Sequence, residues 1–285
     1  MGPAILLTGA NGLVGFKVLL NALEQGYTVR AAIRSMSKSD VPDITDQKAY
    51  HEATKGSYLC HSSGLASSLP SAGPPQTGIY EPNKLVIASS FFANIPFPPN
   101  GGKITAESRL PDIPGPFDSM VPAYSAGKIA ALNAAERFVK ENSPTFDDVN
   151  VFPGFVFGTD DRALQVEDIM VSTNRILLGV ITGQVAPGAG YVYDAVKLFL
   201  HALDVIAPKN IGATVPHQFN EAWDIVKERF PKAAKNGTFT QGKQETIPIG
   251  WDAHQTELDF GFKVKIWSDM VVDVAGLYLE LPGKF

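Results

Sequence analysis

Residues 3–35, PAILLTGANGLVGFKVLLNALEQGYTVRAAIRS, contain the pattern on which the predicted fold depends. The apolar residues 4–7 end at Thr8 and predict a buried parallel strand. A glycine-rich turn follows, and apolar residues then recur at helical spacing up to Gly26, which we expect to cap the helix C-terminus. Residues 28–33 alternate and carry β-branched side chains, which predicts a second strand. The stretch is therefore expected to form a β-α-β unit.

The turn between the first strand and the helix carries glycines at three-residue intervals, at Gly9, Gly12 and Gly15. In this context the first glycine allows a tight turn, the second lets the backbone approach a pyrophosphate, and the third lets the helix pack on the strand. The helix N-terminus adds amide donors and a partial positive charge. The pattern predicts a dinucleotide site, and a purely structural turn is the alternative interpretation.

The residues after the second strand indicate which dinucleotide is bound. An NAD site places an acidic residue there, where it binds the ribose hydroxyls. Here Arg34 and Lys38 follow the strand, and the first acidic residue is Asp40. Two cations suit the 2′-phosphate of NADP, since a guanidinium binds phosphate through two parallel hydrogen bonds. We therefore expect NADPH/NADP+ as the cofactor, with a solvated basic loop as the alternative.

Further hydrophobic patterns divide the rest of the chain into elements. Apolar runs predict strands at residues 58–60, 84–88 and 149–152. Helical spacing predicts helices at residues 121–141, 194–205, 220–230 and 268–281.

The composition limits the functions that are possible. Of the 285 residues, 45% are hydrophobic and 19% are charged, which is enough apolar material for a large core. The net charge of −5 and the lack of a basic patch argue against a nucleic-acid partner. No apolar run approaches the roughly 20 residues of a membrane span, and the N-terminal sequence becomes glycine-rich too early for a secretory signal. We expect a cytoplasmic protein that does not contact membranes.

Residues 123–139, AYSAGKIAALNAAERFV, place Tyr124 and Lys128 four positions apart in a predicted helix. Positions i and i+4 share one helix face. The charge of Lys128 is expected to favour the phenolate and to lower the pKa of Tyr124, which would make this tyrosine a usable general acid. Two ordinary residues on a helix face are the alternative.

Together these motifs resemble the extended short-chain dehydrogenase/reductase superfamily, and most of all the group of plant dihydroflavonol reductases and fungal methylglyoxal or carbonyl reductases. The matching segments follow the order of the family and cover nearly the whole chain: LLTGANGLVG, VRAAIRSMSK, VPDIT, KLVIASSFFA, the tyrosine helix, FPGFVFG and LDFGFKVK. The resemblance implies an α/β fold, with a Rossmann-type doubly wound parallel sheet and a smaller C-terminal α/β substrate lobe. The NADP-binding domain would span residues 1–157 and the lobe residues 158–285, with some chain exchange between the two.

The resemblance also implies the roles of individual residues. Tyr124 would protonate a carbonyl oxygen, Ser90 would polarise that carbonyl, and Lys128 would hold the nicotinamide ribose, while Ser89 is the less favoured serine. No metal is implied. The cofactor contacts implied are Gly9, Asn11, Gly12, Leu13, Val14, Gly15, Arg34, Lys38, Asp43, Ile44, Tyr124, Lys128, Pro153 and Val156.

The implied activity is the NADPH-dependent reduction of a ketone or aldehyde to an alcohol, by a monomer or homodimer whose partner is a small-molecule carbonyl substrate. One alternative is a non-redox epimerase, dehydratase or cyclase on the same scaffold. Another is an inactive NADP-binding protein. Five phenylalanines near the motifs favour an apolar or aromatic carbonyl, although phenylalanine is equally common in cores: Phe91, Phe92, Phe97, Phe155 and Phe157.

The chain departs from the family pattern in two places. Only four residues separate Lys38 from Asp43, where the family has a helix and a third strand. A parallel neighbour needs a crossover of about a dozen residues, so the outer edge of the sheet is expected to be missing or replaced by a short loop. Residues 65–82 are rich in serine, proline and glycine and predict an irregular loop in place of a long helix. Either the protein lacks these segments naturally, or the sequence is incomplete at these two points.

Overall fold

The computed structural model describes residues 4–10, 12–32, 58–61, 84–95, 103–144, 147–170, 172–183, 209–213, 217–243, 246, 250–252, 254–260 and 265–283. The chain divides into two compact units. The first comprises residues 1–100, 105–152 and 195–212, and the second comprises residues 101–104, 153–194 and 213–285. The predicted domain boundary after residue 157 stays a prediction.

The strands form one large sheet and one small sheet. Their bounds are β1 (Ala4–Thr8), β2 (Thr28–Ala32), β3 (Tyr58–His61), β4 (Lys84–Ala88), β5 (Lys103–Ile104), β6 (Asp147–Pro153), β7 (Lys209–Ala213) and β8 (Gly250–Trp251). In the described residues the large sheet has the order β2-β1-β3-β4-β6-β7, and β5 pairs with β8. The pairs β1–β2, β1–β3, β3–β4 and β4–β6 are all parallel. The predicted strands at residues 58–60, 84–88 and 149–152 are therefore confirmed, each in a parallel sheet.

The register of the central strands brings two loops to the same edge of the sheet. Thr8, the last residue of β1, pairs with His61, and His61 pairs with Ile87 of β4. Because parallel strands point the same way, the glycine turn after β1 and the serines after β4 leave the sheet at its carboxyl edge. This edge is where ligands bind in open α/β sheets.

The first helix, α1 (Leu13–Glu24), ends as its sequence predicts. Gly26 has a φ of 83°, in the left-handed region that glycine adopts readily. Its N–H donates to the carbonyl of Leu23, and the N–H of Tyr27 donates to the carbonyl of Ala22. This is the hydrogen-bond pattern of a Schellman motif, so the predicted glycine cap is confirmed.

The glycine turn has the geometry that its spacing predicts. Gly9 has a φ of 69°, and its carbonyl accepts a hydrogen bond of 2.9 Å from the N–H of Gly12. A Cβ atom on Gly15 would lie 2.7 Å from the carbonyl carbon of Gly9, and closer still to its oxygen. Only glycine at position 15 therefore lets α1 pack this closely against the turn.

The longest of the described helices is α2 (Met120–Asn142), within one residue of its predicted bounds at each end. Ile129 and Leu132 are buried on its inner face. Ser143, in a left-handed conformation with a φ of 44°, ends the helix. The apolar face of this helix therefore packs within the first unit.

The second unit contains the remaining helices of the described residues: α3 (Val166–Met170), α4 (Asn174–Thr182), α5 (Glu221–Arg229), α6 (Pro231–Lys235), α7 (His254–Phe260) and α8 (Trp267–Glu280). Helix α8 packs against α4 and α5, and these two also contact each other. The helices predicted at residues 220–230 and 268–281 are confirmed within one residue. Pro231 ends the first of them as expected but also begins α6, because the first helical position needs no N–H donor.

Several elements escaped prediction, and three predictions fall outside the described residues. Helix α4 is a short apolar run that is buried almost all round, and such a run cannot be told from a buried strand by periodicity alone. Strands β5 and β8 have only two residues each. The missing third strand, the loop at 65–82 and the helix at 194–205 concern residues that the structure does not describe. In the part that it does describe, β2 is the edge strand next to β1. None of the described helices is both long and apolar enough to cross a lipid bilayer.

Replacing Gly15 by alanine should destabilise the protein. The new methyl group would meet the backbone of Gly9, which cannot move as a flexible side chain could. We expect the free energy of unfolding, measured by urea denaturation, to fall by about 1–3 kcal/mol. Gly127→Ala is the matched control, because a Cβ there meets no heavy atom of the described residues within 4 Å.

Gly127 lies in the interior of α2, so the control variant should gain up to about 1 kcal/mol from the better helix propensity of alanine. Equal stability of Gly15→Ala and the unmodified protein would contradict the close packing of α1 on the turn.

Candidate active site

The chain leaves the sheet between Ser89 and Ser90. The N–H of Ser89 donates to the carbonyl of Val151 at 2.8 Å and so continues the pairing of β4 with β6. Ser90 begins a single 3₁₀ turn, Phe91–Ala93, and its Oγ accepts a hydrogen bond of 3.3 Å from the N–H of Phe92. The side chain of Ser90 is thereby fixed in a buried position at the carboxyl edge of β4.

Tyr124 and Lys128 lie one turn apart near the start of α2. The Lys128 Nζ is 5.5 Å from the centre of the Tyr124 ring, on its face. The side chain of Ser90 lies close enough to the Tyr124 hydroxyl to stabilise its phenolate. The structure therefore brings together the three residues Ser90, Tyr124 and Lys128, which are separated by up to 38 positions in the sequence. Ser89 has its backbone in the sheet ladder, and Ser90 is the serine that meets the tyrosine.

The pKa of Tyr124 is raised, contrary to the expectation that Lys128 would lower it. Burial is the main cause, because it disfavours the phenolate, and the hydrogen bond with Ser90 only partly offsets this effect. The same burial lowers the pKa of Lys128. The spacing of Tyr124 and Lys128 shows that the two side chains share a helix face. It does not show how deeply they are buried, because burial depends on what packs over them, and burial determines the direction of the Tyr124 pKa shift. Tyr124 consequently holds its proton at neutral pH.

The predicted cofactor residues around the glycine turn lie at the N-terminus of α1. Gly12 is the N-cap and has no side chain to occupy the helix N-terminus, and the first turn carries no acidic residue. Gly12 is exposed, and a Cβ atom on it would approach the Gly9 carbonyl oxygen to 3.3 Å. Leu13, Val14 and Gly15 supply the next amides of the helix. A cradle of bare backbone at a helix N-terminus fits a pyrophosphate group.

Pro153 and Val156 belong to the segment at and after the end of β6, which is assigned to the second unit. Pro153 is the last residue of β6, and the carbonyl of Val156 accepts a hydrogen bond from the Thr173 hydroxyl. Two residues further on, Gly158 exchanges two hydrogen bonds with the side chain of Asn174, of 3.1 and 2.8 Å. These contacts anchor the segment to the start of α4.

Sequence reasoning missed Thr173 and Asn174, although a signal exists in the sequence. Asn174 stands at the head of the apolar run NRILLGVIT and is fully buried. A buried amide requires hydrogen-bond partners, so an asparagine at the start of such a run indicates a backbone contact.

The remaining predictions for the site divide between core residues and residues that are not described. Asn11, Arg34, Lys38, Asp43 and Ile44 lie outside the described residues. Of the phenylalanines proposed to favour an apolar substrate, Phe91 and Phe157 are buried in the cores of their units, and Phe97 lies outside the described residues. Among the described phenylalanines of this set, Phe92 and Phe155 are half-buried and remain as candidates for contact with a substrate.

Comparison with known proteins establishes the family. No model of a known protein family matches the chain. It is, however, 31% identical to the ketoreductase CTB6 of Cercospora nicotianae, over 98% of this chain and 96% of that protein. The chain belongs to the extended short-chain dehydrogenase/reductase superfamily. Within it, the chain falls in the carbonyl reductase group that resembles dihydroflavonol reductase, and the predicted family and oxidoreductase class are confirmed.

Two further similarities bear on the fold and on the reaction. The crystal structure of Gre2 from Candida albicans in complex with NADPH superposes with a TM-score of 0.79 at 17% identity, covering 99% of this chain and 100% of that one. This confirms the predicted Rossmann-type fold. The NAD-dependent epimerase/dehydratase ALT6 of Alternaria alternata is 29% identical over 82% of this chain and 84% of that protein. The chain is therefore similar both to a protein named as a ketoreductase and to one named as an epimerase/dehydratase.

The alignment with the ketoreductase also bears on the two gaps. It spans 349 positions, whereas this chain has 285 residues. The relative therefore carries segments that this chain lacks, and their location after Lys38 and near residues 65–82 stays a prediction from the sequence.

The raised pKa of Tyr124 can be tested by NMR on protein labelled with ¹³C at the tyrosine Cζ. The resonance that disappears in Tyr124→Phe should titrate above pH 10, the ordinary value, because burial disfavours the phenolate. Ser90→Ala removes the hydrogen bond that lowers the pKa, so the midpoint in that variant should rise further. A midpoint at or below the ordinary value in the unmodified protein would restore the original expectation that Lys128 dominates.

Proposed function

We propose that this protein reduces a ketone or aldehyde to an alcohol with NADPH. The observation that carries the proposal is the meeting of Ser90, Tyr124 and Lys128 at the carboxyl edge of the parallel sheet. A phenol with a hydroxyl beside it and an ammonium group 5.5 Å from the centre of its ring would provide a proton donor together with two groups that stabilise negative charge on oxygen. The names of similar proteins, among them a ketoreductase, support the same reaction.

Each of the three side chains has a distinct part in this reaction. Bound NADPH would supply the hydride to the carbonyl carbon. The Tyr124 hydroxyl donates its proton to the carbonyl oxygen, and its raised pKa keeps it protonated over the whole neutral range. Ser90 polarises the carbonyl and stabilises the phenolate that remains after proton transfer. Lys128 adds its positive charge to the same phenolate and holds the nicotinamide ribose.

The cofactor would lie along the carboxyl edge of the first unit. The bare amides of the glycine turn and of the start of α1 would bind the pyrophosphate. Arg34 and Lys38 would bind the 2′-phosphate that distinguishes NADPH from NADH. Asp43 and Ile44 would contact the adenine, as their positions in the family motifs imply.

A second candidate function is a non-redox epimerase, dehydratase or cyclase reaction, and the similarity to an epimerase/dehydratase favours it. The same tyrosine would then move a proton without net hydride transfer. The two functions differ in the consumption of NADPH, which is one equivalent per product for a reductase and none for the alternative.

Tyr124→Phe should abolish the reduction while leaving the cofactor bound. Loss of the proton donor is expected to lower kcat by at least about a hundredfold. The rate of NADPH oxidation with a panel of aromatic and aliphatic ketones and aldehydes measures this effect, and calorimetry measures cofactor binding. Tyr278→Phe, the same chemical change at a buried position in α8, is the matched control and should retain activity.

Undiminished turnover of every accepted carbonyl by Tyr124→Phe would refute the proposed role of this tyrosine. Product formation without net NADPH consumption would favour the epimerase or dehydratase reaction instead.

The preference for NADPH is a separate prediction. In calorimetric titrations the protein should bind NADPH at micromolar concentrations and NADH much more weakly, because only NADPH carries the phosphate that two cations would bind. Arg34→Ala should reduce the difference between the two cofactors by about tenfold or more, since a charge-assisted contact contributes about 1.5–3 kcal/mol. Binding of neither cofactor would instead support an inactive protein with a degenerate site.

A further inference from the structure

Ser125, the residue after Tyr124, is not among the predicted reacting groups, yet it is fully buried next to them. Its Oγ donates a hydrogen bond of 3.2 Å to the carbonyl of Phe92, which belongs to the 3₁₀ turn after β4. The bond joins residues 33 positions apart and links helix α2 directly to this turn. A buried hydroxyl with a specific partner on another element fixes the separation of the two elements.

Phe92 contacts three residues of the site, namely Ser90, Tyr124 and Ser125. Its N–H donates to the Oγ of Ser90 at 3.3 Å, and its carbonyl accepts from Ser125. Its ring packs edge-on against the ring of Tyr124, with 5.5 Å between the centroids and 80° between the planes. Since Tyr124 also lies against Ser90, the four residues form a closed loop of contacts. In this loop the side chain of Ser125 supplies the hydrogen bond from helix α2 to the backbone of the turn.

We propose that Ser125 is a positioning residue, which holds the turn that carries Ser90 at the distance from Tyr124 that proton transfer to a bound carbonyl requires. This inference rests on the proposed reductase function. Ser125 does not touch the reacting atoms itself. It acts through Phe92, whose amide orients the hydroxyl of Ser90.

The other contacts in the loop cannot replace the hydrogen bond of Ser125. An edge-on pair of rings does not fix a distance by itself, because such pairs occur with ring centroids anywhere from about 4.5 to 7 Å apart. The bond between Ser90 and Phe92 lies within the turn and moves with it. A displacement of about 1 Å at a catalytic group is enough to lower a rate by about a hundredfold.

The variants Ser125→Thr and Ser125→Val provide the test. Threonine and valine have almost the same shape, so any cost of overpacking at this buried position is common to both. Only threonine retains the hydroxyl that donates to Phe92. We expect kcat for carbonyl reduction to be about tenfold or more lower in the valine variant than in the threonine variant. The Kd for NADPH, measured by calorimetry, should be equal in the two.

A second measurement does not depend on activity. The ¹³C resonance of Tyr124 should titrate at a higher pH in Ser125→Val than in Ser125→Thr, because a displaced Ser90 no longer offsets the burial of the phenol. Lys128, the charged group that faces Tyr124 from the same helix, is unchanged in both variants. A purely structural role for Ser125 would lower the melting temperature of the valine variant without moving this titration.

Two further variants complete the experiment. Ser125→Ala removes the hydroxyl without adding bulk. If threonine and valine prevent folding at this position, kcat and the Tyr124 titration are compared between the alanine variant and the unmodified protein. Asn142→Ala is the control, because it removes a hydrogen bond from a side chain to a carbonyl, that of Phe138, at the far end of the same helix. Its kcat and the titration of Tyr124 should both be unchanged.

The failure of this inference is distinguishable from the failure of the proposed function. Equal kcat values and equal Tyr124 midpoints in the threonine and valine variants overturn the positioning role, whatever the activity of Tyr124→Phe. Full activity of Tyr124→Phe overturns the proposed reductase chemistry, while the titrations still decide whether Ser125 positions Ser90.

Discussion

The absence of a side chain at Gly15 is the constraint on which the first unit depends. Helix α1 lies so close to the turn at Gly9 that even one methyl group would overlap the backbone. This approach places the helix N-terminus directly beyond the end of β1. Because β1, β3 and β4 are parallel and in register, β4 ends at the same carboxyl edge of the sheet. The bare amides of the turn and the serine after β4 therefore face the same side of the sheet. The two halves of the candidate site, one for a cofactor and one for proton transfer, are brought to one edge by backbone packing.

Burial determines the electrostatics of the reacting groups. It raises the pKa of Tyr124 and lowers that of Lys128, so it disfavours the charged form of each. Reduction of a carbonyl requires a protonated tyrosine, whereas oxidation of an alcohol requires the phenolate as a base. The site in this form therefore keeps Tyr124 in the protonated state that reduction requires, and burial at the same time makes this phenol a weaker acid. The hydrogen bond with Ser90 offsets part of the cost of the phenolate, and the serine thus assists the step in which the tyrosine loses its proton.

The elements with a strong local signal could be predicted from the sequence, and the contacts between distant segments could not. The β-α-β unit, the strand before Ser90 and helix α2 follow from hydrophobic periodicity and glycine spacing, and their bounds agree within a few residues. The bond between Ser125 and Phe92 and the burial of Tyr124 depend on how a helix and a turn pack together. No single-sequence pattern encodes such packing, and this is why the predicted direction of the Tyr124 pKa was wrong.

The two short connections in the chain do not interrupt the contacts that assemble the reacting groups. Ser90, Phe92, Tyr124 and Ser125 lie within residues 84–95 and 120–142, and both segments are continuous with the strand and the helix that support them. The first connection follows Lys38 and so concerns the end of the site predicted to bind the 2′-phosphate and adenine. The residues predicted to bind the 2′-phosphate and the adenine thus lie in a different part of the chain from the contacts around Tyr124. The loss of segments that relatives retain would act first on affinity, and the geometry around Tyr124 would persist because its own contacts hold it.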